Sequence, residues 1–71
     1  MNSGCRVEYN GDDFVIDVFN GSTSVATASV NNPPAANSSF SLGVSYNGSS
    51  LCGTLSGTST TTVCGAASSL N

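Results

Sequence analysis

Phe14-Val15-Ile16-Asp17-Val18-Phe19 is the densest apolar run in the chain, and its reading decides the fold. It is rich in the β-branched and aromatic residues that suit a pleated, half-buried surface. Asn10-Gly11 precedes it and Asn20-Gly21 follows it. Asn-Gly between apolar runs marks a tight hairpin turn, because both residues tolerate the positive φ such a turn needs. Residues 14–19 therefore read as a central strand with an antiparallel partner on each side.

The partner upstream is Cys5-Arg6-Val7-Glu8-Tyr9, which alternates with Cys5, Val7 and Tyr9 on one face. A four-residue loop over 10–13 sets Tyr9 opposite Phe14, Val7 opposite Ile16, Cys5 opposite Val18 and Arg6 opposite Asp17. A two-residue loop would instead bring Glu8 against Asp13, and like charges directly opposite are unfavourable. Downstream, a turn at Asn20-Gly21 sets Ile16 against Val25, Val18 against Thr23 and Val15 against Ala26. The third strand then covers about 22–30. Asn31-Asn32-Pro33-Pro34-Ala35-Ala36-Asn37-Ser38-Ser39 follows as a loop, since proline has no N–H for a ladder and biases its predecessor away from helix.

Phe40-Ser41-Leu42-Gly43-Val44-Ser45-Tyr46 is the cleanest alternation in the chain, and Asn47-Gly48 turns it back. A two-residue loop there pairs Val44 with Leu51 and Phe40 with Leu55. A third turn at Gly57-Thr58-Ser59 leads into Thr60–Cys64, and the tail 65–71 carries no clear pattern. Phe14, Phe40 and Tyr46 fall on the core face. The glycines are accounted for by the hairpin turns. Nothing has helical periodicity. The expectation is one all-β domain over 1–71, with meanders at 5–30 and 40–64 joined by the proline loop 31–39. That is most simply a small antiparallel β-sandwich or flattened barrel of about six strands.

Three cysteines leave one over in any pairing. A three-residue loop at 57–59 sets Cys52 directly opposite Cys64, with Thr54 opposite Thr62 and Ser56 opposite Thr60. Opposed cross-strand residues lie about 4.5–5.5 Å apart, within disulfide reach. The register thus favours Cys52–Cys64 with Cys5 free. Cys5–Cys52 and Cys5–Cys64 are the rival pairings, and three buried free thiols the remaining alternative.

The composition excludes several functions. Arg6 is the only basic side chain and the formal net charge is −3, so the chain has nothing to neutralise a row of phosphates or an anionic membrane. No apolar run approaches the roughly 18–20 residues of a membrane-spanning helix. His and Lys are both absent, which removes the commonest general base and the amine nucleophile. No phosphate-binding glycine loop and no set of four zinc ligands is present. The expectation is a protein without catalytic residues and without a cofactor. The one candidate metal set is Asn10, Asp12 and Asp13, whose oxygens suit calcium, although Asn and Asp serve turn geometry in the same way.

Gly4-Cys5-Arg6-Val7-Glu8-Tyr9 with Phe14-Val15-Ile16-Asp17-Val18 resembles the start of bacterial cellulose-binding β-sandwich modules. The resemblance covers under a quarter of the chain. It implies a β-sandwich that binds carbohydrate. Those modules stack sugars on exposed tryptophans, of which this chain has none, so no binding residue carries over. Phe19 and Tyr9 are the only aromatic platform on offer.

More than half of the residues are Ser, Thr, Asn or Gly, and charged residues make up 7%. Such surfaces suit a virion-exposed or extracellular β protein. Met1-Asn2-Ser3-Gly4 has neither the basic start nor the apolar stretch of a signal peptide. The leading expectation is therefore a non-catalytic structural module that assembles with itself or decorates a larger shell, such as a capsid or tail. The alternative is a secreted carbohydrate- or protein-binding module. Two three-stranded sheets leave four edges, each a template for another strand. Ser59, Thr60, Thr61, Thr62 and Val63 are uncharged and free of proline, which marks them as the assembly edge. Residues 5–9 are the other candidate, guarded in part by Arg6 and Glu8.

Overall fold

A computed structural model describes residues 3–9, 13–35 and 37–71. It contains six strands: β1 Ser3–Tyr9, β2 Phe14–Asn20, β3 Thr23–Ser29, β4 Ser41–Tyr46, β5 Ser50–Ser56 and β6 Thr60–Ala66. They form two three-stranded antiparallel sheets, β1-β2-β3 (sheet A) and β4-β5-β6 (sheet B). Among the described residues there is no helix. β2 and β5 are the central strands, and β1, β3, β4 and β6 are all edges. The sheets pack face to face as a sandwich, which is why β2 and β5 carry the fully buried side chains Ile16, Val18, Leu51 and Leu55.

The first hairpin has the expected register throughout, with Tyr9 opposite Phe14, Val7 opposite Ile16, Cys5 opposite Val18 and Arg6 opposite Asp17. Of the loop behind it, residues 10–12 lie outside the described set. The second hairpin differs from expectation. Ile16 pairs with Ala28, Val18 with Ala26 and Val15 with Ser29, not with Val25, Thr23 and Ala26. Two local events cause the shift. Asn20 stays in β2 opposite Thr23, so the turn moves to Gly21-Ser22, with Gly21 at φ 67°. A bulge between Val18 and Phe19 on β2 and its partners on β3 then admits Val25 as an extra residue. Asn20 is held in the strand because its side chain is buried and hydrogen-bonded through both its oxygen and its nitrogen. Its Oδ1 accepts from Ser3 Oγ (2.6 Å) and the Asn71 N–H (2.8 Å), while Nδ2 donates to the Ser69 carbonyl (2.8 Å).

The β4–β5 hairpin is also displaced. Tyr46 pairs with Leu51 and Leu42 with Leu55, so Val44 faces Gly53 and Phe40 lies outside the strand. The turn moves one residue on, to Gly48-Ser49, because Asn47 Oδ1 accepts the N–H groups of both Ser49 (2.9 Å) and Ser50 (2.8 Å) while Asn47 N–H donates to the Ser50 carbonyl. A slip of two residues keeps every side chain on its face, so the inside/outside pattern survives the error. The β5–β6 hairpin is as expected, with Ser56 opposite Thr60, Thr54 opposite Thr62 and Cys52 opposite Cys64. Cys52 and Cys64 form a disulfide, and Cys5 is free.

Two buried clusters fill the sandwich. Ile16, Val30 and Leu55 are joined by Val7, Phe14 and Ala28; Val18, Leu51 and Ala67 are joined by Cys5, Val25, Ala26, Tyr46 and Leu70. Val63 packs against both. The patternless tail is tied down. Ala67 N–H donates to the Ser49 carbonyl (3.0 Å), Tyr46 Oη–H donates to the Ala67 carbonyl (3.0 Å), and Ser69 and Asn71 bond to Asn20.

Turns do not account for all the glycines. Gly53 and Gly65 sit inside β5 and β6 on the face turned toward the other sheet. A Cβ on Gly65 would collide with the Val25 carbonyl oxygen, and one on Gly53 would lie 2.9 Å from both Cys5 Cβ and Val18 Cγ2. These positions lack a side chain because the other sheet occupies the space.

Candidate functional site

Sheet A is displaced toward β6. β1 touches both β4 and β5, β2 touches both β5 and β6, and β3 lies on β6. The displacement leaves β4 only partly covered. Leu42 and Val44 point to the inner side of sheet B, yet they are 38% and 52% exposed. Phe40 just ahead of β4 is 42% exposed, a departure from its expected place in the core. Its ring meets Phe14 edge-on, with centroids 6.3 Å apart. Tyr9 at the end of β1 is 69% exposed. An open hollow of about 440 Å³ lies here, lined by Tyr9, Phe14, Pro33 and Pro34. The open β1–β4 side is thus an apolar surface built from three separate parts of the chain.

Backbone polarity adds to this surface. Asn47 N–H bonds to the Ser50 carbonyl, which makes 47 and 50 a hydrogen-bonded pair. Antiparallel ladders alternate, so Ser45, Gly43 and Ser41 direct their peptide groups toward β5. Leu42 and Val44 then direct theirs outward from the sheet edge. The same two residues carry the exposed apolar side chains. On β6 the alternation falls differently. Cys52 faces β4 with its peptide groups, so Cys52–Cys64 is the close, non-hydrogen-bonded type of pair, in keeping with a Cα separation of 4.0 Å. Thr60, Thr62 and Cys64 therefore present the outward peptide groups of β6, beside polar or disulfide-bonded side chains.

Electrostatics separate the two sheets. All five charged residues lie between Arg6 and Asp17, and residues 18–71 carry no charged side chain. Arg6 sits on the outer face of sheet A, 3.3 Å from Asp17 and 3.5 Å from Glu8, with its guanidinium 5.5 Å from the centre of the Phe19 ring. Asp17 is buried beneath it and also accepts from Ser24 Oγ. The single cation is thus engaged by two carboxylates and an aromatic face. Phe19 and Tyr9 point to opposite faces of sheet A, so they do not form one aromatic platform.

The remaining candidates fall elsewhere. Cys5 Sγ–H donates to the Gly43 carbonyl at 3.3 Å. Burial pushes its thiol pKa up, partly offset by the Thr54 backbone N–H, so the group is held protonated. A nucleophilic cysteine needs the opposite shift. Of the candidate calcium set, Asn10 and Asp12 lie outside the described residues, and Asp13 is exposed just ahead of β2. Among the described residues no three His, Cys, Asp or Glu side chains are grouped to hold a metal. Thr60–Val63 lie on the β6 edge and Ser59 in the turn before it, where Ser59 Oγ–H donates to the Asn31 carbonyl. No helix among the described residues is long and apolar enough to cross a membrane.

Leu42, Val44, Pro33 and Pro34 were not marked by sequence reasoning. Local pattern places Leu42 and Val44 in the core, and no local signal says that the facing sheet stops short of them. No protein-family model, curated protein or solved structure matches the chain.

Proposed function

We propose that this chain is a non-catalytic assembly module, exposed on a virion or outside a cell, which joins copies of itself or decorates a larger shell. The observation that carries the reading is the β4 edge, where outward peptide groups and exposed apolar side chains coincide at Leu42 and Val44. Natural edge strands are commonly guarded by lysine, inward-pointing charge, proline or a covering loop. β4 has no charge and no proline along Ser41–Tyr46. Charge-free surfaces over residues 18–71 suit close packing of many copies without like-charge repulsion. The Ser59–Val63 stretch remains the second candidate edge. Sedimentation of the purified protein from the micromolar to the millimolar range tests the reading. Concentration-dependent association is expected. A monodisperse monomer throughout would overturn self-assembly.

The hollow lined by Tyr9, Phe14, Pro33 and Pro34 favours the second reading, a carbohydrate- or protein-binding module. Rings and prolines can stack against a sugar or an extended peptide. Co-sedimentation with insoluble polysaccharide distinguishes it. A monomer that binds polysaccharide, and loses that binding on Tyr9→Ala, would replace the assembly reading.

A further inference from the structure

We infer that β4 is a self-pairing edge: two copies of this chain join β4 to β4 antiparallel about a two-fold axis near Gly43, making one continuous six-stranded sheet. The inference rests on the assembly reading and names the edge and the occupant.

Two observations select a second copy of this chain. The strand is its own complement. With the axis at Gly43, Leu42 of each copy falls opposite Val44 of the other, and Ser41 opposite Ser45. Leu42 and Val44 thereby find hydrogen-bonding partners in a single register. The charge pattern permits it, since a copy with net charge −3 brings no charged side chain on the sheet it would join. A partner recognised through charge would find nothing to read there. The area also sets the strength. Aromatic side chains bury about 150–250 Å² each when fully covered. Scaling by the exposure of Tyr9, Phe40, Leu42 and Val44 gives roughly 350 Å² of apolar surface per copy. The pair then falls below the ~1,200 Å² at the lower end of stable interfaces. Such a contact is weak alone and holds in concentrated solution or within a lattice.

The geometry supplies its own probe. At the axis, Gly43 faces Gly43 of the second copy across a non-hydrogen-bonded pair, where Cβ atoms stand about 4.5–5.5 Å apart. A Cβ on Gly43 meets nothing within 4 Å, so Gly43→Cys leaves the monomer undisturbed. Under oxidising conditions this variant is expected to yield a disulfide dimer whose non-reducing peptide map links position 43 to position 43. In parallel, sedimentation up to millimolar concentration compares the natural chain with Val44→Lys and Thr62→Lys. Val44→Lys is expected to weaken self-association at least tenfold, and Thr62→Lys to leave it unchanged. Loss of association with Thr62→Lys but not with Val44→Lys, or with neither, would overturn the β4 proposal while leaving assembly standing. A natural chain that stays monomeric, together with no 43–43 link, would overturn both.

Discussion

Val44, Gly53 and Val63 form one row across the inner face of sheet B. Gly53 is buried, Val63 packs into both core clusters, and Val44 is half exposed. The three occupy equivalent positions in the strand pattern, so their own chemistry does not separate them. What separates them is the opposite sheet. On the β3–β6 side the backbone of Val25 comes so close that only glycine fits at 65. On the β1–β4 side the cover ends at Cys5, and Val44 looks past it. The β3–β6 side of the sandwich is sealed and the β1–β4 side is open. An inward-pointing apolar residue is core on one side and surface on the other.

The strongest way to break the sealed side is Gly65→Ala. Its methyl would have to displace backbone, so a loss of about 3 kcal/mol or more in urea-measured stability is expected. If the loss were under ~1 kcal/mol, the sealed side would be looser than described. Removing the disulfide tests the same side from its outer face. Cys52 and Cys64 are 12 residues apart in sequence, and opening such a loop costs about 3 kcal/mol. The double Cys→Ala variant should show this as a lower melting temperature, insensitive to reductant.

The comparison sharpens with a matched pair. Val63→Ala should cost about 1–3 kcal/mol through lost burial and a residual cavity, while Val44→Ala, half exposed, should cost under ~0.5 kcal/mol in dilute solution. Equal costs would show that the open side is closed in the monomer. The smallest effect concerns Cys5 at the boundary between the two sides. Its thiol pKa is raised by burial in the folded state. On raising the pH, the unfolded chain ionises first, so this contribution is present below the ordinary thiol pKa and is lost as pH climbs through the raised one. Urea midpoints should therefore drift down in mild alkali, and Cys5→Ala should flatten that drift.

Much of this fold is legible without coordinates. The first hairpin follows from alternation and from the cost of setting Glu8 against Asp13. The disulfide follows from a three-residue turn and a period of two. Errors arose at two turns. At Asn20 a buried side chain with partners in β1 and the tail outweighs the Asn-Gly signal, and at Asn47 a side-chain cap moves the turn on to Gly48-Ser49. In both places the deciding hydrogen bonds come from side chains whose partners no local pattern names.

Outside β3, where the Val25 bulge turns Ala26 and Ala28 inward against expectation, the sequence by itself determined the face on which each side chain lies, along with the strands, their number and the cysteine pair. These depend on interactions between residues that are neighbours along one strand or across one hairpin. Only the tertiary structure decided how far sheet A is shifted over sheet B. That offset depends on the Val25 bulge, on the bare backbones of Gly53 and Gly65, and on the tail held by Asn20, all acting together across the sandwich. It turns Leu42 and Val44 from core residues into an apolar edge, and the candidate site exists because of it.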